Sequence, residues 1–192
     1  YLVLAGDIFD YERGDPTLWE IATFMRELRD LGAEVIPLLG CSDSNPTKLL
    51  EVMRNVLFRE EPIRPQLLNP SKIRSDAIRD LLALYGASKE KVTLKLADGS
   101  VAVFEHGHGL KLDRNAELEK ILTKLQYRRS DPEALHVIGH FHRSFFDRKM
   151  KTVMLGSWQT QTQEEERAGF APDIMDILLI DEDGSFELQR GQ

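Results

Sequence analysis

The sequence predicts an α/β protein built on mixed sheets, and three observations carry that reading. The chain opens as strand, helix, strand. Its later apolar runs are joined by Asp-Gly turns. Three of the apolar runs end in short loops that combine glycine with acids or histidines. Tyr1–Ala5 is an apolar run closed by Gly6 and reads as a buried strand. Pro16 opens a helical pattern with Leu18, Ile21, Phe24, Met25, Leu28 and Leu31 on one face, and Gly32 ends it. Val35–Leu39 is a second buried strand closed by Gly40, with Pro37 an awkward member for a central strand. These elements make a βαβ unit.

From Pro46 to Gly86 the pattern is helical, broken at Pro62, Pro65 and Pro70. Val92–Leu96 and Val101–Phe104 flank Asp98-Gly99 and predict a hairpin. Asn115 is placed to cap a helix carrying Leu118, Ile121, Leu122 and Leu125. Leu135–Ile138, Thr152–Leu155 and Ile174–Ile180 read as strands. Asp183-Gly184 turns the last of these into Phe186–Leu188. The whole, residues 1–192, is expected to be one domain with a helical insertion at about 47–86.

Composition narrows the function classes. Hydrophobic residues make up 42% and charged residues 30%, enough apolar material for a core and too much for wholesale disorder. No apolar run approaches the ~18 to 20 residues of a membrane-spanning helix. Asp7 and Asp10 interrupt the N-terminal apolar stretch, so it does not read as a signal peptide. The single cysteine, Cys41, excludes an internal disulfide framework and fits a reducing compartment, so a cytoplasmic location is expected. The net charge of −7 does not attract polyanions at long range, so nucleic-acid binding is compatible with the chain but not implied by its charge. That charge is uneven: residues 1–46 carry −6 and 160–192 carry −7, against +4 over 47–95 and +2 over 96–159.

All five histidines lie between His106 and His142. Gly6-Asp7-Ile8-Phe9-Asp10 follows the first strand, His106-Gly107-His108 follows Val101–Phe104, and Gly139-His140-Phe141-His142 follows Leu135–Ile138. In α/β sheets functional groups collect at the carboxyl ends of strands, so the three loops are expected to converge on one edge. Imidazole and carboxylate together suit zinc, iron or manganese. The glycines are expected to let the backbone turn tightly enough for the side chains to face inward. Taken singly, a Gly-Asp-x-x-Asp is commonly a solvated turn and a His-x-His a surface coincidence; their shared placement after strands argues for a site.

In this order the motifs resemble the calcineurin-like metallophosphoesterase superfamily over roughly residues 1–158. The resemblance implies an α/β/β/α layered sandwich of two mixed β-sheets flanked by helices. It implies two divalent metal ions, manganese, iron or zinc, and a phosphate-ester substrate, either a phosphomonoester or a phosphodiester. Residue by residue, it implies that Asp7 bridges the metals while Asp10 braces the loop. His106 and His140 would serve one metal and His142 the other; His108 receives no role.

Two departures bear on activity. The family's Asp-x-His motif is absent from the chain, which starts at Tyr1, so the domain is expected to be N-terminally incomplete. The family's Gly-Asn-His-Asp loop stands here as Gly40-Cys41-Ser42-Asp43. Cys41 is then either a thiolate ligand or a small buried hydrophobe. Ser42 can neither carry a positive charge nor act as a general acid near neutral pH. The leading expectation is a metal-dependent phosphoesterase. The alternative is a non-catalytic binding module or complex subunit that keeps the fold, with the 47–86 segment as a surface for a protein partner.

Overall fold

Short apolar runs separated by glycines leave the chain few ways to bury them except as strands, and the computed structural model shows an α/β protein. It describes residues 1–6, 18–40, 76, 79–80, 82–84, 86–87, 89–112, 116–129, 131–157, 166–167, 169, 176–181 and 183–189. The chain forms two compact units, Tyr1–Lys89 and Glu90–Gln192. No helix among the described residues is long and apolar enough to cross a membrane.

In the first unit, β1 (Leu2–Leu4) and β2 (Val35–Pro37) pair in parallel across α1 (Leu18–Asp30), as the strand–helix–strand reading expects. Leu28 is buried on the helix's apolar side. Leu31 is not: it lies past the last helical residue and is 63% exposed. Gly32 follows at φ +64°, the left-handed backbone that ends helices cheaply only in glycine, and its N–H bonds Arg29 O at 3.2 Å. Pro37 is tolerated in β2 for a directional reason. Leu38 N–H points to β1, bonding Leu4 O at 2.9 Å, so alternation turns the missing Pro37 donor to the other side. There, among the described residues, the pairing reaches only Lys89, whose N–H donates to Pro37 O at 3.0 Å. Within the expected helical segment, the described residues at 76, 79–80, 82–84 and 86 are helical. Asp7, Asp10, Cys41, Ser42 and Asp43 lie outside the described residues.

The second unit holds a five-stranded mixed sheet. Its strands are β3 (Lys91–Lys95), β4 (Val101–Glu105), β5 (Leu135–Ile138), β6 (Phe145–Asp147) and β7 (Thr152–Met154), in the order β3-β4-β5-β7-β6. The central three, β4, β5 and β7, run parallel, and the edge strands are antiparallel to them. The β3–β4 turn forms as expected: Gly99 takes φ +88°, and Asp98 Oδ1 accepts Ser100 N–H at 2.8 Å. A second Asp-Gly turn joins β8 (Ile177–Ile180) to β9 (Phe186–Gln189), with Gly184 at φ +78°. β6 had no counterpart in the sequence reading. Three residues are too few to show alternation, and Phe-Phe-Asp before a basic turn carries no period.

Register sorts the sheet into two faces. Val103, His136, Ile138, Thr152, Met154 and Phe145 share the face toward α2 (Leu118–Arg128). There Ile121 and Leu125 of the helix pack with Leu110, Ile138, Phe141 and Met154, all 3% exposed or less. Burying each such side chain contributes ~1.5–3 kcal/mol. The expected Asn115 cap lies outside the described residues; Glu117 occupies the cap position without a side-chain bond. The opposite face is apolar across all five strands, including Leu94, Phe104, Val137, Val153 and Phe146. The β8–β9 hairpin meets it at Phe186, whose ring lies edge-on to Phe146 with centroids 5.1 Å apart.

His136 sits in the middle of β5, buried, with its Nε2 3.4 Å from Asp131 O. Burial above all, and then the charge of Arg129, holds its pKa below the ordinary histidine value. Its neutral form therefore stabilises the fold fully above the unfolded pKa of ~6.5, and that contribution is lost as pH falls through the lower folded pKa. Urea midpoints at pH 7.5 and 5.5 should differ less for His136→Gln than for the parent. An undiminished difference would assign the acid sensitivity to other groups.

Candidate functional site

Because β4, β5 and β7 are adjacent and parallel, their carboxyl ends open on one edge of the sheet. His106 follows β4, His140 and His142 follow β5, and Gly156-Ser157 follows β7. Of the three loops expected to converge, the two histidine loops do so as a direct result of strand order; the Asp7 loop lies outside the described residues.

Local packing fixes the rings. Phe141, fully buried in the α2-side core, anchors the second loop between its two histidines. The backbone pays for this at the histidines themselves. Phe141 N–H bonds Gly139 O at 2.9 Å with φ +74° at His140, a tight γ-type turn, and His142 sits at φ +51°. Gly139 does not take the positive φ, contrary to the expectation that the glycines supply the bend. Left-handed non-glycine residues cost ~1–3 kcal/mol each and concentrate at functional sites. Gly107 does behave as expected. It has φ +96°, and a Cβ there would meet Ile138 Cγ2 at 2.8 Å and both Gly139 O and Phe141 Cε2 at 3.3 Å. One histidine loop is therefore packed directly on the other.

The outcome is a close group of imidazoles. The His106 and His140 rings lie 5.1 Å apart, nearly perpendicular, and the His106 and His108 rings 5.6 Å apart. His106 and His142 are buried, at 2% and 7% exposure. His140 Nε2 lies 3.2 Å from Leu112 O. A carbonyl only accepts, so in the neutral ring Nε2 carries the hydrogen and Nδ1 is the basic nitrogen. Two imidazoles binding one cation at ~2.1 Å near the tetrahedral angle have centroids about 5 Å apart. The His106–His140 pair fits that spacing. Among the described residues, however, no group of three or more His, Cys, Asp or Glu side chains is arranged to hold a metal ion. The expected carboxylate, Asp7, lies outside the described residues.

Asp176 was missed by the sequence reading. It is 4% exposed, and its Oδ2 accepts Gly156 N–H at 2.7 Å, tying the segment after β7 to the residue before β8. The available signal was an acid inside the apolar run Ile174–Ile180; the strand in fact begins at Ile177. Comparison with protein-family models, curated proteins and solved structures finds no match to this chain.

Gly107→Ala should lower stability by about 1–3 kcal/mol, from positive φ alone and before any clash. Gly109→Ala, whose Cβ would meet only the mobile end of Arg128 at 3.2 Å, should cost under about 1 kcal/mol. Equal urea midpoints for the two variants would contradict the left-handed backbone and close approach at Gly107.

Proposed function

We propose that the protein is a metal-dependent phosphoesterase acting on a phosphomonoester or phosphodiester. The observation that supports this most is the meeting of His106 and His140 at the carboxyl edge of adjacent parallel strands, rings 5.1 Å apart. His106 and His140 would hold one divalent cation, manganese, iron or zinc. On the motif resemblance, His142 and Asp7 complete a dinuclear centre in an α/β/β/α layered sandwich. Such cations, when bound, would supply the Lewis acidity that phosphate-ester hydrolysis needs. The protein's own part is to present basic nitrogens. The carbonyl of Leu112 orients His140, and the buried Phe141 keeps the loop from relaxing. Protonated imidazoles do not ligate, so metal occupancy falls in acid.

One observation favours a second reading, a binding module that keeps the fold without turnover. Cys41 and Ser42 occupy the positions where the resembled family has Asn and His. Ser42 offers no proton donor to a leaving group at neutral pH.

A single set of measurements separates the readings: metal content and hydrolysis of an activated phosphodiester in manganese, on full-length protein. His140→Ala should lose metal and rate together. The double change Cys41→Asn and Ser42→His should raise a slow parental rate by ~10²-fold or more, the ordinary worth of positioned acid–base assistance. Full metal occupancy with parent and double variant both inert would favour the binding module. Metal content unchanged by His140→Ala would remove the histidines from any metal site.

A further inference from the structure

Beside the histidine edge, the 3-10 turn His108–Leu110 is lined with cations. Arg128, in the last turn of α2, lays its guanidinium over Gly109: a Cβ there would meet Nη1 at 3.2 Å and Nη2 at 3.5 Å. Lys124, one turn earlier and on the same side of the helix, donates to Leu110 O at 3.0 Å and Lys111 O at 3.4 Å. Lys111 is itself exposed at the end of the turn. Among the described residues no carboxylate pairs with Lys111, Lys124 or Arg128; Glu117, at the start of the helix, is paired with Lys120. Next to Arg128 stands Tyr127, 87% exposed, an aromatic ring that contributes nothing to the core.

We propose that this rim binds single-stranded nucleic acid and leads it to the histidine edge. A guanidinium presents a fork of donors matched to phosphate oxygens, and ammonium groups add charge along the backbone. An exposed aromatic among such cations offers a face on which an unpaired base stacks; a base inside a duplex has no such face free. The acidic segments 1–46 and 160–192 keep the protein as a whole from drawing in polyanions, so binding is local and salt-sensitive. The proposal rests on the phosphoesterase reading only for where the scissile phosphate lies; the binding step stands apart from it.

The test is fluorescence anisotropy of a labelled oligothymidylate with full-length protein in EDTA, between about 50 and 200 mM salt. Binding should weaken steeply with salt. Tyr127→Ala should weaken it about tenfold, while Tyr127→Phe keeps it. Arg128→Gln should weaken it and reduce the magnitude of the log K against log salt slope by about 0.7. Lys149→Gln removes the same charge from the β6–β7 turn and should change nothing. A Lys149→Gln effect equal to that of Arg128→Gln, an unaffected Tyr127→Ala, or tighter binding of duplex would overturn the proposal. Strand binding without hydrolysis of a small activated diester would sink the phosphoesterase reading and keep this one. Hydrolysis without strand binding would do the reverse.

Discussion

The parallel pairing of β4 with β5 is the constraint from which the histidine edge follows. Its register, Ala102 with Leu135 through Glu105 with Ile138, ends both strands at one level. His106 and the Gly139–His142 loop then leave the sheet side by side, although more than thirty residues separate them in sequence. Antiparallel pairing would have sent the two loops to opposite ends. The crossover through α2 makes the parallel arrangement possible, and the helix repays its length by burying Ile121 and Leu125 on Ile138 and Met154. Core and site are two consequences of one connection.

Much of this was legible because it depends on period and punctuation. The runs Leu135–Ile138 and Val101–Phe104, the amphipathic stretch around Ile121 and Leu125, and both Asp-Gly turns are local signals, and each element formed where they lie. The placement of histidines after strands was legible for the same reason. What escaped depends on partners far along the chain. β6 is a strand because Phe146 meets Val153 and Asp147 meets Thr152, which three residues cannot announce. Asp176 is buried because Gly156 N–H needs an acceptor, and nothing within either segment names the other.

The glycine expectation separates two kinds of local bend. At Gly107 the sequence logic held, since the neighbouring loop fills the space a side chain would take. At Gly139 it did not, because the buried ring of Phe141 draws the chain inward and moves the positive dihedral on to His140. A hydrophobic anchor between two polar residues can thus impose on them a backbone they would not choose. Sequence shows the anchor but not the direction of its pull.

The left-handed histidines carry an evolutionary consequence. At positions 140 and 142 the backbone is better served by glycine or asparagine, which enter that region at lower cost. Under selection for folding alone, these two sites would be among the first to drift, and each change would leave a more relaxed loop. Imidazoles are held there only as long as some use for them outweighs the conformational penalty. In a lineage where no such use remained, the loop after β5 would record the change before the core registered any.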